Sequence, residues 1–290
     1  MSSSGSTATA PSTSGPTLTS LLDLAVSDPG SSCDYMIGGV ATNETELEVA
    51  AQLIADDAMR IRCGASPVLQ RWRSRRDGGP EHSPEDRQSV EVFVQRGFGL
   101  PGNPGNTDHL QGHVAELLWG RLINERTVCD DGRRLVHVTE VKADPTEPGS
   151  DGLVVYEIAD GILVFRLWEV KKHSSTAHVS GTIGRACTQL SSLGAQYLAL
   201  LTGPGTKYPG ALGRLYGELV DLWLTEHARA GVGISIATSK AHAPKNGAFG
   251  GVATAFPQFG SPGQREGLLV AVSDFPSFAN RVREIIWTGL

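Results

Sequence analysis

The chain has 290 residues, of which 40% are hydrophobic and 19% charged, a globular composition with room for one large domain or two small ones. Its formal net charge of -6 excludes a protein that coats nucleic acid by bulk charge, although local basic patches remain compatible. The four cysteines are far apart and have no CxxC spacing, which favours neither a zinc ribbon nor a disulfide framework. A reducing cytoplasm is the expected setting.

The first 18 residues are rich in Ser, Thr and Gly and predict a disordered tail. They have neither the basic start nor the apolar run of a secretory signal. No segment approaches the roughly 18 apolar residues that a membrane span needs. We therefore expect a cytoplasmic protein without membrane contact, folded as one domain over residues 19–290.

The remaining elements follow from hydrophobic spacing and from cap and turn residues. Helices are predicted over 19–26, 43–59, 109–126, 178–201, 210–231 and 277–290, with Gly231 as the C-cap of the fifth. Strands are predicted over 89–99, 133–144, 150–173 as a hairpin, 232–239 and 267–274. This mixture of helices and strands predicts an α/β layer fold.

The predicted hairpin over 150–173 gathers its charges at one end. Asp151 stands at the start of its first strand, and Glu169 and Lys171 stand near the end of its second. Because side chains alternate along a strand, Glu169 and Lys171 point to the same face as the apolar residues of that strand. A core face that ends in an acid and a base indicates a site.

The turn of the hairpin decides whether Asp151 joins that face. A two-residue turn at Asp160-Gly161 would pair Asp151 with Val170 and point it away from Glu169. A three-residue loop with Gly161 in the left-handed conformation would pair Asp151 directly with Glu169. Both turns suit these residue types, so the sequence leaves two registers open. Only the three-residue loop, or a bulge near Gly152, would put Asp151, Glu169 and Lys171 on one face.

Two carboxylates directly opposite each other destabilise a sheet unless something compensates them. A divalent cation is the natural compensator, and oxygen ligands favour Mg²⁺, with Mn²⁺ as an alternative. A lysine two residues beyond the second acid can orient an attacking water or stabilise charge on a phosphate. The pattern therefore indicates metal-dependent chemistry on a phosphate.

An Asp at the start of one strand and Glu-Val-Lys on the next, here Asp151, Glu169 and Lys171, resemble the PD-(D/E)XK nuclease superfamily. In that family the acids bind Mg²⁺ and the lysine assists phosphodiester hydrolysis. The family pattern also has a preceding helix that bears a Glu, and "HVAELLWG" supplies Glu116. The resemblance implies metal ligands at Glu116, Asp151 and Glu169, with Lys171 as a further catalytic residue.

The resemblance covers about residues 112–201 and implies a central mixed β-sheet flanked by helices. It implies a restriction-endonuclease-like core over about 112–240 and an N-terminal elaboration over 19–111. The sequence departs from the pattern at Ser150, where the family has Pro. An Asp-Pro pair elsewhere leaves Asp144 as an alternative ligand.

Further residues lie near these in the predicted elements. Some branches of the family use a Gln in the helix after the hairpin, which favours Gln189. Four residues are candidates for supporting the site or contacting substrate: Gln189, Arg185, Lys172 and His113.

The segment "QRWRSRR" places four arginines around Trp72. These are Arg71, Arg73, Arg75 and Arg76. One interpretation is a grip on a phosphate backbone with the indole stacked on a base. The other is an exposed basic loop that balances an acidic protein.

The resemblance implies a metal-dependent nuclease, with DNA favoured over RNA as its substrate. The chain contains no recognisable methylase, helicase or sequence-reading module, so a partner is expected to supply specificity. That suggests restriction or antiviral defence, as in phage-defence systems such as Hachiman, which pair a small nuclease-like protein with a helicase. The alternatives are an inactive nuclease-like fold that binds nucleic acid or protein, and an unrelated α/β domain whose charges cap a strand.

Overall fold

A computed structural model describes residues 15–27, 32–143, 149–244 and 247–290. Within these ranges the chain forms nine α-helices and seven β-strands. The helices are α1 (Leu18–Leu21), α2 (Glu44–Cys63), α3 (Pro67–Arg76), α4 (Pro84–Phe98), α5 (Thr107–Glu125), α6 (Ser180–Gly205), α7 (Gly210–Leu224), α8 (Gly250–Ala255) and α9 (Phe275–Thr288). The strands are β1 (Ala25–Ser27), β2 (Asp34–Gly38), β3 (Arg134–Val138), β4 (Gly152–Glu157), β5 (Leu163–His173), β6 (Val232–Ser239) and β7 (Arg265–Val272).

The strands form one mixed sheet in the order β1-β2-β7-β6-β5-β4-β3. Strands β2, β7, β6 and β5 are parallel to one another. Strand β1 is antiparallel to β2 at one edge, and β4 and β3 continue the sheet in antiparallel fashion at the other. The predicted α/β class with a central mixed sheet flanked by helices is confirmed.

Each face of the sheet is covered by its own hydrophobic core. Helices α1 to α5 and α9 pack on one face, and α6, α7 and α8 pack on the other. Successive residues of β5 alternate between these cores: Phe165 and Leu167 face α6, whereas Val164 and Trp168 face α5. Because both faces are buried, the central strands carry nearly continuous apolar runs.

Most predicted elements are confirmed, with shifted ends. Helix α2 begins with a capping box in which the Asn43 side chain accepts from the Glu46 backbone N–H and the Glu46 carboxylate accepts from that of Asn43. Most of the predicted tail over 1–18 lies outside the described residues, whereas Leu18 is fully buried and begins α1. The helix predicted over 19–26 is shorter, since the chain turns into β1.

The strand predicted over 89–99 is wrong, because this segment belongs to α4. The alternation of Val and other residues favours a strand, but Val90 and Val94 are four residues apart and fully buried on one side of the helix. Phe98 is also buried, beyond a break in the helical backbone at Arg96 and Gly97. Ser83 caps the helix with Pro84 at its first position. The capping signal outweighs the short alternating pattern.

Two further predictions are corrected. One of the two interpretations of "QRWRSRR" is an exposed loop. This is wrong, because the segment forms most of α3, which Ser66 caps. The predicted C-cap at Gly231 is also wrong, because α7 ends at Leu224 and Gly231 leads directly into β6.

All four cysteines are free and buried. No helix in the described ranges is both long and apolar enough to cross a membrane.

Candidate active site

The β4–β5 hairpin has the three-residue turn of the two predicted alternatives. The backbone N–H of Ile158 donates to Ile162 O at 2.9 Å, which leaves residues 159–161 as the turn. Gly161 has a φ of 72° and Asp160 a φ of 63°, so both occupy the left-handed region. The register that results pairs Gly152 with Trp168.

This register continues by one position to set Asp151 opposite Glu169. Asp151 Oδ2 accepts a hydrogen bond from the backbone N–H of Val170 at 2.7 Å, so its side chain extends the ladder where β4 has ended. Beyond Trp168, β5 pairs with β6 through His173. Within the described ranges no strand pairs with the other edge of β5 beyond Trp168. Asp151 and Glu169 lie at this unpaired edge.

Glu169 and Lys171 lie on the face of β5 that packs against α6, as their parity predicts. Lys171 Nζ lies 2.5 Å from Glu169 Oε1, whose side chain is only 1% exposed. Glu169 Oε2 is buried, and no donor in the described part of the chain donates to it. Burial alone would lower the pKa of Lys171, but the ion pair with Glu169 raises it.

Helix α5 carries Glu116 to the same place. Asn106 caps the helix by accepting from the Asp108 backbone N–H, and Trp119 fits over the sheet where Gly152 leaves space. A Cβ at Gly152 would lie 1.9 Å from the Trp119 ring, so only glycine permits this approach. Glu116 lies one turn before Trp119 and is mostly buried, with a side chain 15% exposed.

The three carboxyl groups influence one another. Burial raises the pKa of Glu116 to about 7, against the opposing charges of Lys142 and Lys171. Burial and then the charge of Glu116 raise the pKa of Asp151. Burial and then the charge of Asp151 raise the pKa of Glu169. Glu116 is therefore near enough to Asp151 for its charge to act there, whereas the capped-strand interpretation expects Glu116 to be remote from Glu169.

Lys142 is a site residue that sequence reasoning missed. It lies in the segment after β3, and a Cβ added to Gly149 would be 3.2 Å from its Nζ. Its charge lowers the pKa of both Glu116 and Asp151 relative to burial alone. A signal was present, since Glu140-Val141-Lys142 repeats the Glu-Val-Lys of β5.

The three carboxylates fit a hard divalent cation by their chemistry. They are buried oxygen donors, the charge of Glu116 acts on Asp151 and that of Asp151 acts on Glu169, and the Oε2 atom of Glu169 has no donor among the described residues. As the side chains stand, no group of three or more His, Cys, Asp or Glu in the described ranges is arranged to hold a metal ion. Lys171 instead contacts Glu169, and the Val170 backbone N–H contacts Asp151.

The supporting candidates are distributed around this group. Gln189 Nε2 donates to the hydroxyl of Tyr197 at 3.0 Å, and Tyr197 is close enough to Lys171 to affect its pKa. Gln189 therefore reaches the site through Tyr197, which the sequence did not indicate. Arg185 instead donates to Thr182 Oγ1 at 2.8 Å on its own helix.

Lys172 contacts α5, and His113 belongs to that helix. Lys172 lies on the opposite face of β5 from Lys171, where it forms an ion pair with Asp108 and contacts Gln111. His113 is fully buried, and its Nδ1 lies 3.7 Å from Glu116 Oε2. His113 is therefore a direct neighbour of the site.

The arginines of α3 are paired with carboxylates. Arg73 and Arg76 bind Asp56, Arg71 lies 3.1 Å from Asp86, and Arg75 lies 3.8 Å from Glu81. The prediction that Trp72 stacks on a base is wrong, because its indole is fully buried and donates to Ile286 O. Contact of these arginines with nucleic acid stays a prediction. The alternative ligand Asp144 lies outside the described residues.

Comparison by sequence identifies no relative: no protein-family model matches the chain, and no curated protein matches it significantly.

Proposed function

We propose that this protein is a metal-dependent nuclease of the PD-(D/E)XK type that hydrolyses phosphodiester bonds. The observation that carries the proposal is the hairpin register, in which Asp151 lies opposite Glu169 and Lys171 contacts the same carboxylate. Glu116 adds a third carboxyl from α5.

The order of elements supports a restriction-endonuclease-like core. Helix α5 precedes the antiparallel strands β3, β4 and β5, and α6 follows them and packs on the sheet. The resemblance requires this order, with a Glu on the first helix and a second helix that covers the sheet. Residues 19–111 then form an elaboration around that core.

The proposed chemistry divides among four residues. Glu116, Asp151 and Glu169 would supply oxygen ligands to Mg²⁺ or Mn²⁺. A cation bound there supplies Lewis acidity toward a phosphoryl oxygen and lowers the pKa of water. Lys171, which contacts Glu169, would donate to the phosphate or orient the attacking water.

We further propose DNA as the substrate to test before RNA, and a partner that directs the nuclease to its target. The support is the sequence, which contains no recognisable helicase, methylase or sequence-reading module. Such a partner would be a helicase or another subunit of a restriction or phage-defence system.

One assay tests the nuclease proposal. Purified wild-type protein, Lys171→Met and Asp151→Asn are compared on single- and double-stranded DNA and RNA, with and without Mg²⁺ or Mn²⁺. We expect metal-dependent cleavage that both variants slow by about 100-fold or more, since each loses a group that acts in the transition state. Lys207→Met, at an exposed lysine between α6 and α7, serves as the control and retains activity. Equal cleavage by wild type and Lys171→Met would sink the proposed site.

The second candidate is a nuclease-like fold that binds nucleic acid or a protein without cutting. The contact of Lys171 with Glu169 favours it, because the lysine already compensates the carboxylate that a metal would need. Binding of the same substrates without cleavage under any metal condition would select this candidate.

A further inference from the structure

Arg62 lies near the C-terminal end of α2 and joins it to two other parts of the chain. Its Nη1 donates to Ala143 O at 2.7 Å, and its Nη2 lies 3.1 Å from His113 Nε2. The guanidinium carbon lies 4.7 Å from the centre of the Phe98 ring, and this packing restrains the guanidinium. Helix α2 is thereby connected both to α5 and to the segment after β3.

The contact with His113 fixes which ring nitrogen carries the proton. A guanidinium has only donors, so His113 Nε2 must accept the hydrogen bond. The proton of the neutral ring is then on Nδ1, the atom that lies 3.7 Å from Glu116 Oε2. That distance is too long for a hydrogen bond, but it sets the positive end of the N–H dipole beside the carboxylate.

The contact with Ala143 fixes the backbone next to Lys142. On the other side of that lysine, Val141 is buried and packs against α5 at Gly120, where a Cβ would lie 2.7 Å from Val141 Cγ2. The segment that carries Lys142 is thus held at both of its neighbours, one by packing and one by the guanidinium.

We propose that Arg62 is a positioning residue of this site. One guanidinium sets the tautomer of His113, which neighbours Glu116, and also holds the backbone beside Lys142. The inference rests on the proposed function and gives the N-terminal helices a role in it. Mutation of a residue that orients metal ligands typically lowers metal affinity or activity 10–100-fold.

The first test measures Mn²⁺ binding by calorimetry without nucleic acid. Arg62→Met removes both hydrogen bonds while keeping an unbranched apolar stem, and we expect it to weaken Mn²⁺ affinity about tenfold or more. Arg62→Lys keeps the charge but lacks the planar fork that serves both acceptors, so its loss is intermediate. The matched control is Arg60→Met, on the same helix, where the side chain is 52% exposed and pairs with Asp57.

The second test needs no metal and no substrate. Ring ¹⁵N shifts of His113 distinguish a protonated Nδ1 from a protonated Nε2. We expect wild-type protein to carry the proton on Nδ1, and Arg62→Met to shift His113 toward the other tautomer. Arg62→Lys provides the same comparison if Arg62→Met fails to fold.

The outcomes separate the inference from the proposed function. Equal Mn²⁺ affinity in wild type and Arg62→Met overturns the positioning role and leaves the nuclease proposal standing, as does an unchanged His113 tautomer. A wild-type protein that binds no Mn²⁺ and cuts no substrate overturns the nuclease proposal and, with it, the role of Arg62 in that site. Weaker Mn²⁺ binding in Arg62→Met with normal binding in Arg60→Met supports both.

Discussion

Glu169 has a side chain almost entirely withdrawn from water, yet it lies beside a second acid. Burying a carboxylate is costly unless a positive charge or hydrogen-bond donors compensate it. Lys171 compensates Glu169 directly, and Lys142 acts on Glu116 and Asp151. The site is therefore a balance of three acids and two lysines, in which Lys171 acts on all three acids and Lys142 on Glu116 and Asp151.

Lys142→Met tests the second lysine. If Lys142 helps to hold Glu116 and Asp151 ionised and ready to bind a cation, the variant should lower the cleavage rate about tenfold or more. Lys142→Arg keeps the charge and should retain part of the rate. The measurement is single-turnover cleavage at saturating Mg²⁺, with Lys207→Met as control. An unchanged rate in Lys142→Met would remove Lys142 from the site.

The sequence predicts one of these lysines and misses the other for a physical reason. Alternation along a strand is enough to put Lys171 beside Glu169, because the two residues are only two positions apart. Lys142 reaches the site through a connecting segment whose path depends on Arg62 and on the packing of Val141. Contacts of that kind join distant parts of the chain, so the local Glu-Val-Lys repeat at 140–142 does not by itself place Lys142 at the site.

Strand β3 forms one edge of the sheet, and its register shifts at Val136. His137 follows the shift, and its ring packs 4.9 Å from Tyr208 and 6.0 Å from Tyr216. Burial lowers the pKa of His137, because it penalises the charged imidazolium. The ring is therefore part of the apolar contact between the edge strand and the start of α7.

This burial predicts how stability depends on pH. The unfolded state has the ordinary histidine pKa, near 6.5, and the folded state a lower one, so the unfolded state binds the proton first as pH falls. The stabilisation is present above that unfolded pKa and is lost as pH falls through the folded value. In chemical denaturation at several pH values, His137→Gln should weaken this acid dependence. His109→Gln, at an exposed histidine of α5, should not. Parallel pH profiles for wild type and His137→Gln would contradict the prediction.

Helices and strands are predicted most reliably from the sequence where capping residues and hydrophobic periodicity agree. Asn43 and Glu46 specify the start of α2, and the apolar spacing continues from there. In α4 the two signals conflict, because Val92 fits a strand pattern but is 65% exposed on the helix. The residue types in the hairpin turn permit two lengths, and only packing of the whole hairpin selects one.

The N-terminal helices and the C-terminal helix share one core with the sheet. Trp72 of α3 joins them: its Nε1 donates to Ile286 O at 2.8 Å, and a Cβ at Gly289 would lie 2.2 Å from the indole. Arg76 lies over the indole ring. Helix α3 is therefore attached to the end of the chain through a buried aromatic contact.

Trp72→Ala should destabilise the protein by about 3–5 kcal/mol, because it leaves a large cavity between α3 and α9. Trp72→Phe keeps most of the volume but loses the hydrogen bond, so its cost should be smaller. Differential scanning calorimetry should show one transition in all three proteins, lowered most in Trp72→Ala. A separate early transition in Trp72→Ala would mean that the N-terminal helices unfold on their own.

The hairpin register has a consequence for how such a protein can change over evolutionary time. Strand β4 has apolar residues on both faces, so hydrophobicity alone does not distinguish one register from the next. Gly152 lies beneath Trp119, where no larger residue fits, and this disfavours a shift of the register. The length of the three-residue turn determines which residues of the two strands pair. Loss of one codon in the turn, with a smaller residue at 119, would turn Asp151 away from Glu169 while both cores stayed apolar. A lineage can thus separate Asp151 from Glu169 and keep the scaffold in two genetic steps.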